Sequence, residues 1–314
     1  MKKMINKVHL EGYLYEHTLE LKKSGPNSKK PGTEYIAGEI KIATDNAMTN
    51  IIPVHFSYVT EMTGGGKPNA TFTTLKNIVD GNIGAYMKVG DKAGKLKIDT
   101  AIALNEFFSD KINPGNLELV STKRYEGGFV HAVDVIEEDE KLRNTFECDM
   151  LINGAVRKEG DPDKNTVDKV VIKGAIFDFR NALLPIEFSV LNPAAMDYFE
   201  SLELNPNTNP LFTKLFGRQV SEIVIKKTVE ESAWGEDIVK ESKSTRKDFI
   251  ITNASRVPYE FGEEGVLTVD EVNEAIKNRE MYLATLKQKR EEYNASKAAP
   301  AAAAAVPTAG TFNF

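Results

Sequence analysis

Apolar and polar residues alternate over short runs along most of the chain, as at Val8, Leu10 and Leu14 in VHLEGYLYE and at Ile36, Ile40 and Ile42 in EYIAGEIKIAT. A period of two marks a strand with one face on a core and the other in water. Gly12 and Gly38 sit inside these runs, where glycine marks a bulge or tight bend of a curled sheet. The segment TFTTLKNIVDG (71–81) changes to a helical pattern, and strands resume in GDKAGKLKIDTAIALNEFF (90–108) and GFVHAVDV.

The whole pattern then recurs. IIPVHFS at 51–57 returns as LLPIEFS at 183–189, an offset of 132, with proline, phenylalanine and serine kept. Its flanks follow in the same order: Gly12 in its strand answers Gly154 in DMLINGAVRKE, Gly38 answers Gly174 in VVIKGAIFDF, and the helix answers AAMDYFESLEL (194–204). Downstream, 90–108 answers 217–234, and Ser121-Thr122-Lys123-Arg124 answers Ser244-Thr245-Arg246-Lys247, each leading into an apolar strand. Ordered recurrence of this kind is the mark of an internal repeat.

Each copy therefore reads as three strands, a short helix and two further strands. That is the order of an OB fold, a five-stranded Greek-key barrel whose sheet face and loops bind oligonucleotides or oligosaccharides. Another small barrel or sandwich shares the element order. The expected class is mainly β (α+β): OB-like units at 1–140 and 141–258, a charged helix at 259–297, and a disordered Ala/Pro tail at 298–314. Thr268, with Glu271 three residues on, predicts the cap of that helix.

Charge narrows the function. The net formal charge is −6 over 314 residues, which argues against a uniformly basic, duplex-coating surface. Nine acids and five bases fall within 260–292, so the rest of the chain is close to neutral. No apolar run is long enough to cross a bilayer, which points to a cytoplasmic protein without membrane contact. The single cysteine, Cys148, reads as a small core residue, and four scattered histidines offer no zinc spacing.

Catalytic motifs are missing too. Thr63-Gly64-Gly65-Gly66-Lys67-Pro68 lacks the GK[ST] of a phosphate loop, and no GxSxG or HExxH occurs. The acids of VIEEDEK (135–141) sit in a polar linker. The chain is expected to be a binding protein rather than an enzyme, with no cofactor and no metal.

Binding a single strand requires cations along a groove and exposed aromatic faces. Phe107 and Phe108 in the first copy and Trp234 in the second fall in the loop expected between strands four and five. Lys123 and Arg124, beside Tyr125, and Arg246 and Lys247, beside Phe249, precede the last strand of each copy. The run Lys22, Lys23, Lys29 and Lys30 predicts a basic loop between strands one and two. Tyr13, Tyr15, Tyr35, Arg157, Lys158 and Arg180 complete the set. Phe56, Phe188 and Phe249 read as core, and Trp234, among polar neighbours, as exposed.

Asn6-Lys7-Val8-His9-Leu10-Glu11-Gly12-Tyr13-Leu14, followed by Leu19-Glu20-Leu21, resembles the first strand of bacterial and phage single-stranded DNA-binding proteins. The resemblance covers about a twentieth of the chain. It implies an OB fold, a cleft tracking a DNA strand, and a tail whose terminal aromatics, here Phe312 and Phe314, dock replication proteins. Two features depart from the family: no acid follows Glu292, and two barrels replace the usual one. The tandem layout looks most like a phage replication protein. A structural or assembly protein, such as a virion or scaffold component binding protein through the same barrels, is the rival. Oligomeric state is not legible.

Overall fold

In a computed structural model, the described residues are 4–111, 113–161, 166–205, 210–230, 234 and 238–298, with backbone alone for 222–230, 238–246 and 298. The fold is mainly β. Its first strand, β1 (Asn6–His17), pairs antiparallel with β3 (Glu34–Ala43), and β3 pairs with β4 (Ile51–Thr60). Short β2 (Glu20–Lys23) folds back on β3.

Helix α1 (Ala70–Val79), capped by the Asn69 side chain, and the turn α2 (Tyr86–Val89) lead to β5 (Lys95–Thr100), which runs on after Ala101 as β6 (Ile102–Ser109). The last strand is likewise interrupted, as β7 (Glu118–Glu126) and β8 (Phe129–Val133). Parallel pairing of Val54 with Tyr125, and the return of β5 to β1, close the barrel.

A second circuit has the same order. β9 (Asn144–Lys158), β10 (Lys169–Phe177) and β11 (Leu183–Val190) precede helix α3 (Pro193–Ser201) and the long hairpin of β12 (Leu211–Glu230) and β13 (Ile238–Ala254). β12 returns to β9 and β13 runs parallel to β11, so five strands close on themselves. The landmark segments 51–57 and 183–189 occupy β4 and β11.

The alternation does the predicted work. Val8, Leu10, Leu14, Ile36, Ile40, Ile42, Ile52, Val54 and Phe56 all point inward and are buried, each burial worth about 1.5–3 kcal/mol against exposure. Gly38, with φ 136, lies where the β3–β4 register shifts, and a Cβ there would meet Thr18 O at 2.4 Å. Gly174 marks the matching shift between β10 and β9.

The barrels are joined by their first strands. β1 pairs with β9 from Asn6 opposite Cys148 to Leu10 opposite Asn144. Across this seam the core is continuous: Tyr125 of the first barrel meets Phe249 of the second edge-on at 5.7 Å, and Phe249 packs on Phe146 and Phe188. Cys148 is fully buried in this core, which pushes its thiol pKa up.

Beyond β13, α4 (Val269–Ala298) opens with the predicted cap: Glu271 N–H donates to Thr268 Oγ1 at 3.2 Å, and Thr268 N–H donates to Glu271 Oε2 at 2.8 Å. Its first turns close a second apolar cluster with Met4, Phe177 and Phe212. Among the described residues no helix is long and apolar enough to cross a membrane.

Candidate functional site

The outer face of β3 and β4 and the loop preceding β3 form an open groove of about 790 Å³. Ser24 shapes the loop: its hydroxyl donates to Lys30 O at 2.8 Å and to Thr33 O at 3.0 Å, a tight ring that sets Lys29 and Lys30 along one wall. Among the described residues neither lysine has a carboxylate within ion-pair distance. Their neighbours differ: Lys22 pairs with Glu20 at 3.1 Å and Lys23 with Glu34 at 3.2 Å, both on the β2–β3 ribbon rather than in the loop expected for them.

Tyr58 lines the same groove, with Glu34 and Glu61, and has Tyr35 behind it. Tyr35 and Tyr58 lie 4.5 Å apart between ring centroids, tilted by 36°, and Tyr58 is 51% exposed. Tyr58 was not among the sequence candidates. Its signal was there, since it breaks the inward alternation of Val54 and Phe56 just past the β3–β4 bulge. Thr63 and Gly64, from the glycine-rich segment rejected as a phosphate loop, line the same groove.

The expected aromatic loop of the first copy is instead strand. Phe107 and Phe108 lie on β6, opposite Val120 and Leu119, and the paired register ends at Ser109 opposite Glu118. Phe107 remains exposed. Trp234 sits at the far end of the β12–β13 hairpin and is 95% exposed. Arg246 lies on β13 opposite Glu222, its side chain outside the described residues. Phe312 and Phe314 also lie outside them.

Of the paired cations, Lys123 and Lys247 face the seam between barrels. Lys123 Nζ donates to Glu187 O of the second barrel at 2.8 Å and stands 5.0 Å over the Phe249 ring; desolvation there lowers its pKa. Lys247, the counterpart of Arg124, is likewise desolvated and downshifted, beside Glu39 and Lys41 of the first barrel. Arg124 bridges to Glu126 at 2.8 Å. Burial pushes the Glu126 carboxyl up, but hydrogen bonds from Ser57 and Arg124 outweigh it and hold the pKa below the ordinary value. Tyr125 is corrected: it is buried in the shared core and offers no face to a ligand, because the parallel pairing with β4 turns it inward.

The remaining candidates scatter. Tyr13 and Tyr15 are half-buried on β1, and Tyr15 stacks on Tyr86 at 5.9 Å. Arg157 pairs with Glu200 of α3 at 2.6 Å, and Lys158 is exposed at the end of β9. The Arg180 guanidinium lies 4.9 Å over Phe179, in the β10–β11 turn. Among the described residues no group of three His, Cys, Asp or Glu side chains could hold a metal.

A family model described as YorF matches residues 4–289. No curated protein matches the chain. A deletion mutant and the wild type of the single-stranded DNA-binding protein from Thermus aquaticus are similar in structure, at 11% and 12% identity, with TM-scores of 0.45 and 0.43. Each match covers 83% of this chain and 98% of the other.

Proposed function

The chain belongs to the YorF family, and we propose that it is a non-catalytic protein that binds single-stranded DNA without reading its sequence. The observation that carries this is one groove lined by the exposed Tyr58, backed by Tyr35, together with Lys29 and Lys30, whose lining acids are Glu34, paired with Lys23, and Glu61. Stacking is sequence-tolerant because every base has a π-face, and each stack is worth about 1–3 kcal/mol. The two lysines supply the backbone term, which works locally whatever the sign of the total charge. The groove lies on the sheet face and loop that OB folds use for oligonucleotides.

Service in DNA replication, recombination or repair, including that of a phage, is the narrower form of the same proposal. In it, Phe312 and Phe314 dock replication proteins. The test is fluorescence anisotropy of labelled oligo-dT and a matched duplex at two salt concentrations. Salt-sensitive binding that favours the single strand and weakens in Tyr58→Ala is the expected result. No binding at low salt overturns it and moves the chain to the assembly class.

A further inference from the structure

Phe179 and Phe129 are 71% and 68% exposed, and they line the same cleft of about 830 Å³ at the seam between the barrels. They come from different barrels. Phe129 opens β8 opposite Asp99, after Gly127 and Gly128, and Gly128 lies so close to β5 that a Cβ would stand 2.2 Å from Asp99 O. Phe179 is set by a turn in which Asp178 Oδ1 accepts from Arg180 N at 2.7 Å and Ala182 N at 2.8 Å. Both rings are thus set by local backbone constraints in exposed positions.

Most charges of the cleft are matched. Lys7 pairs with Glu147 at 3.6 Å and Glu126 with Arg124, while Asp99 is hydrogen-bonded to the His9 ring at 2.9 Å and keeps its negative charge. A wall with no unpaired cation among the described residues has little pull on phosphate and suits a flat, uncharged ring. Arg180, stacked over Phe179, supplies a cation at the rim for a backbone passing outside.

We propose that this cleft is a nucleobase site, with Phe129 and Phe179 as its stacking faces, through which one DNA strand passes from the first barrel to the second. It rests on the single-strand reading above. A neighbouring cavity shares Lys7, Ala101, Glu126 and Phe179 with it and reaches Leu104 on β6, so the path continues along the hairpin.

The experiment compares wild type, Tyr58→Ala, and the double variants Phe129→Ala/Phe179→Ala and Phe129→Leu/Phe179→Leu. Each is titrated with oligo-dT of about eight nucleotides, within the ~4–16 one OB fold covers, and with a strand about three times longer. Melting curves check that the exposed positions leave folding unchanged. Both double variants are expected to lose about 5- to 150-fold on the long strand per stack removed and nothing on the short one. A 2-aminopurine placed mid-strand is expected to be quenched by wild type but not by the double variants.

Unchanged affinity for the long strand in both double variants, with Tyr58→Ala still weakening both lengths, overturns the seam site alone. Equal loss at both lengths overturns the passage between barrels. Wild type binding neither length overturns the single-strand reading and this one with it.

Discussion

Arg279 of α4 forks onto Glu106 of β6, its side chain only 11% and that of Glu106 3% exposed, with Nη1 3.1 Å from Oε2 and a further bond to Leu183 O of β11 at 3.3 Å. One guanidinium therefore ties the C-terminal helix to both barrels. Removing one partner of a buried ion pair strands the other charge, at about 3–5 kcal/mol. Arg279→Met is expected to lower the unfolding free energy measured by urea titration by that amount, and Arg279→Met with Glu106→Leu to recover most of it. A single variant as stable as wild type would show that the pair is open to water.

Tyr58→Ala and Lys29→Ala/Lys30→Ala are expected to weaken single-strand binding in different ways. Losing a stack lowers affinity about 5- to 150-fold without changing salt dependence. Losing two phosphate contacts flattens log K against log salt by about 0.7 per lysine. Anisotropy titrations over a salt series separate the two.

Lys123→Met tests whether the paired cations serve the seam. Its ammonium is spent on Glu187 O and the Phe249 ring, so DNA affinity is expected to hold within about twofold while stability changes, since a Lys–π contact contributes about 0.5–2 kcal/mol. A large affinity loss at constant stability would return Lys123 to the DNA interface.

His17 gives the pH dependence. Desolvation, then the nearby Lys88 charge, hold its pKa below the ordinary 6.5, and its Nδ1 is buried without a hydrogen-bond partner. The unfolded chain therefore binds the proton more readily, so stability is full above about pH 6.5 and falls as pH drops through the lowered folded value. The melting temperature is expected to fall less between pH 7 and pH 5 in His17→Gln than in wild type. Equal falls would assign the acid sensitivity elsewhere.

The element order was legible because strands such as β1 and β4 keep a period of two and α4 has a capped start, Thr268 with Glu271. The site was only partly legible. Lys29 and Lys30 follow from glycine- and proline-rich loop chemistry, and Trp234 from its polar setting. Tyr125 misled because nothing local signals that β7 faces a second barrel: Phe249, against which its ring packs, lies 124 residues away, as Glu187, the partner of Lys123, lies 64 away. Tyr58, Phe129 and Phe179 were missed for a related reason. An aromatic that ends an apolar run looks like core until a bulge or turn aims it outward.

The ladder between β1 and β9 has a property that bears on how this architecture can vary. With Gly12 set against Gly154, Asn6 corresponds to Cys148, so the pair that ends this ladder, Asn6 opposite Cys148, maps onto itself. Were the halves separate identical chains, each would have to place the same side chain against itself there, and every substitution at the joint would enter twice. Fused in one polypeptide, a change enters once. Asn6 can then donate to Ile102 O and Phe177 O while Cys148 fills apolar space beside it. The tether converts a symmetric joint into one whose two sides are free to specialise.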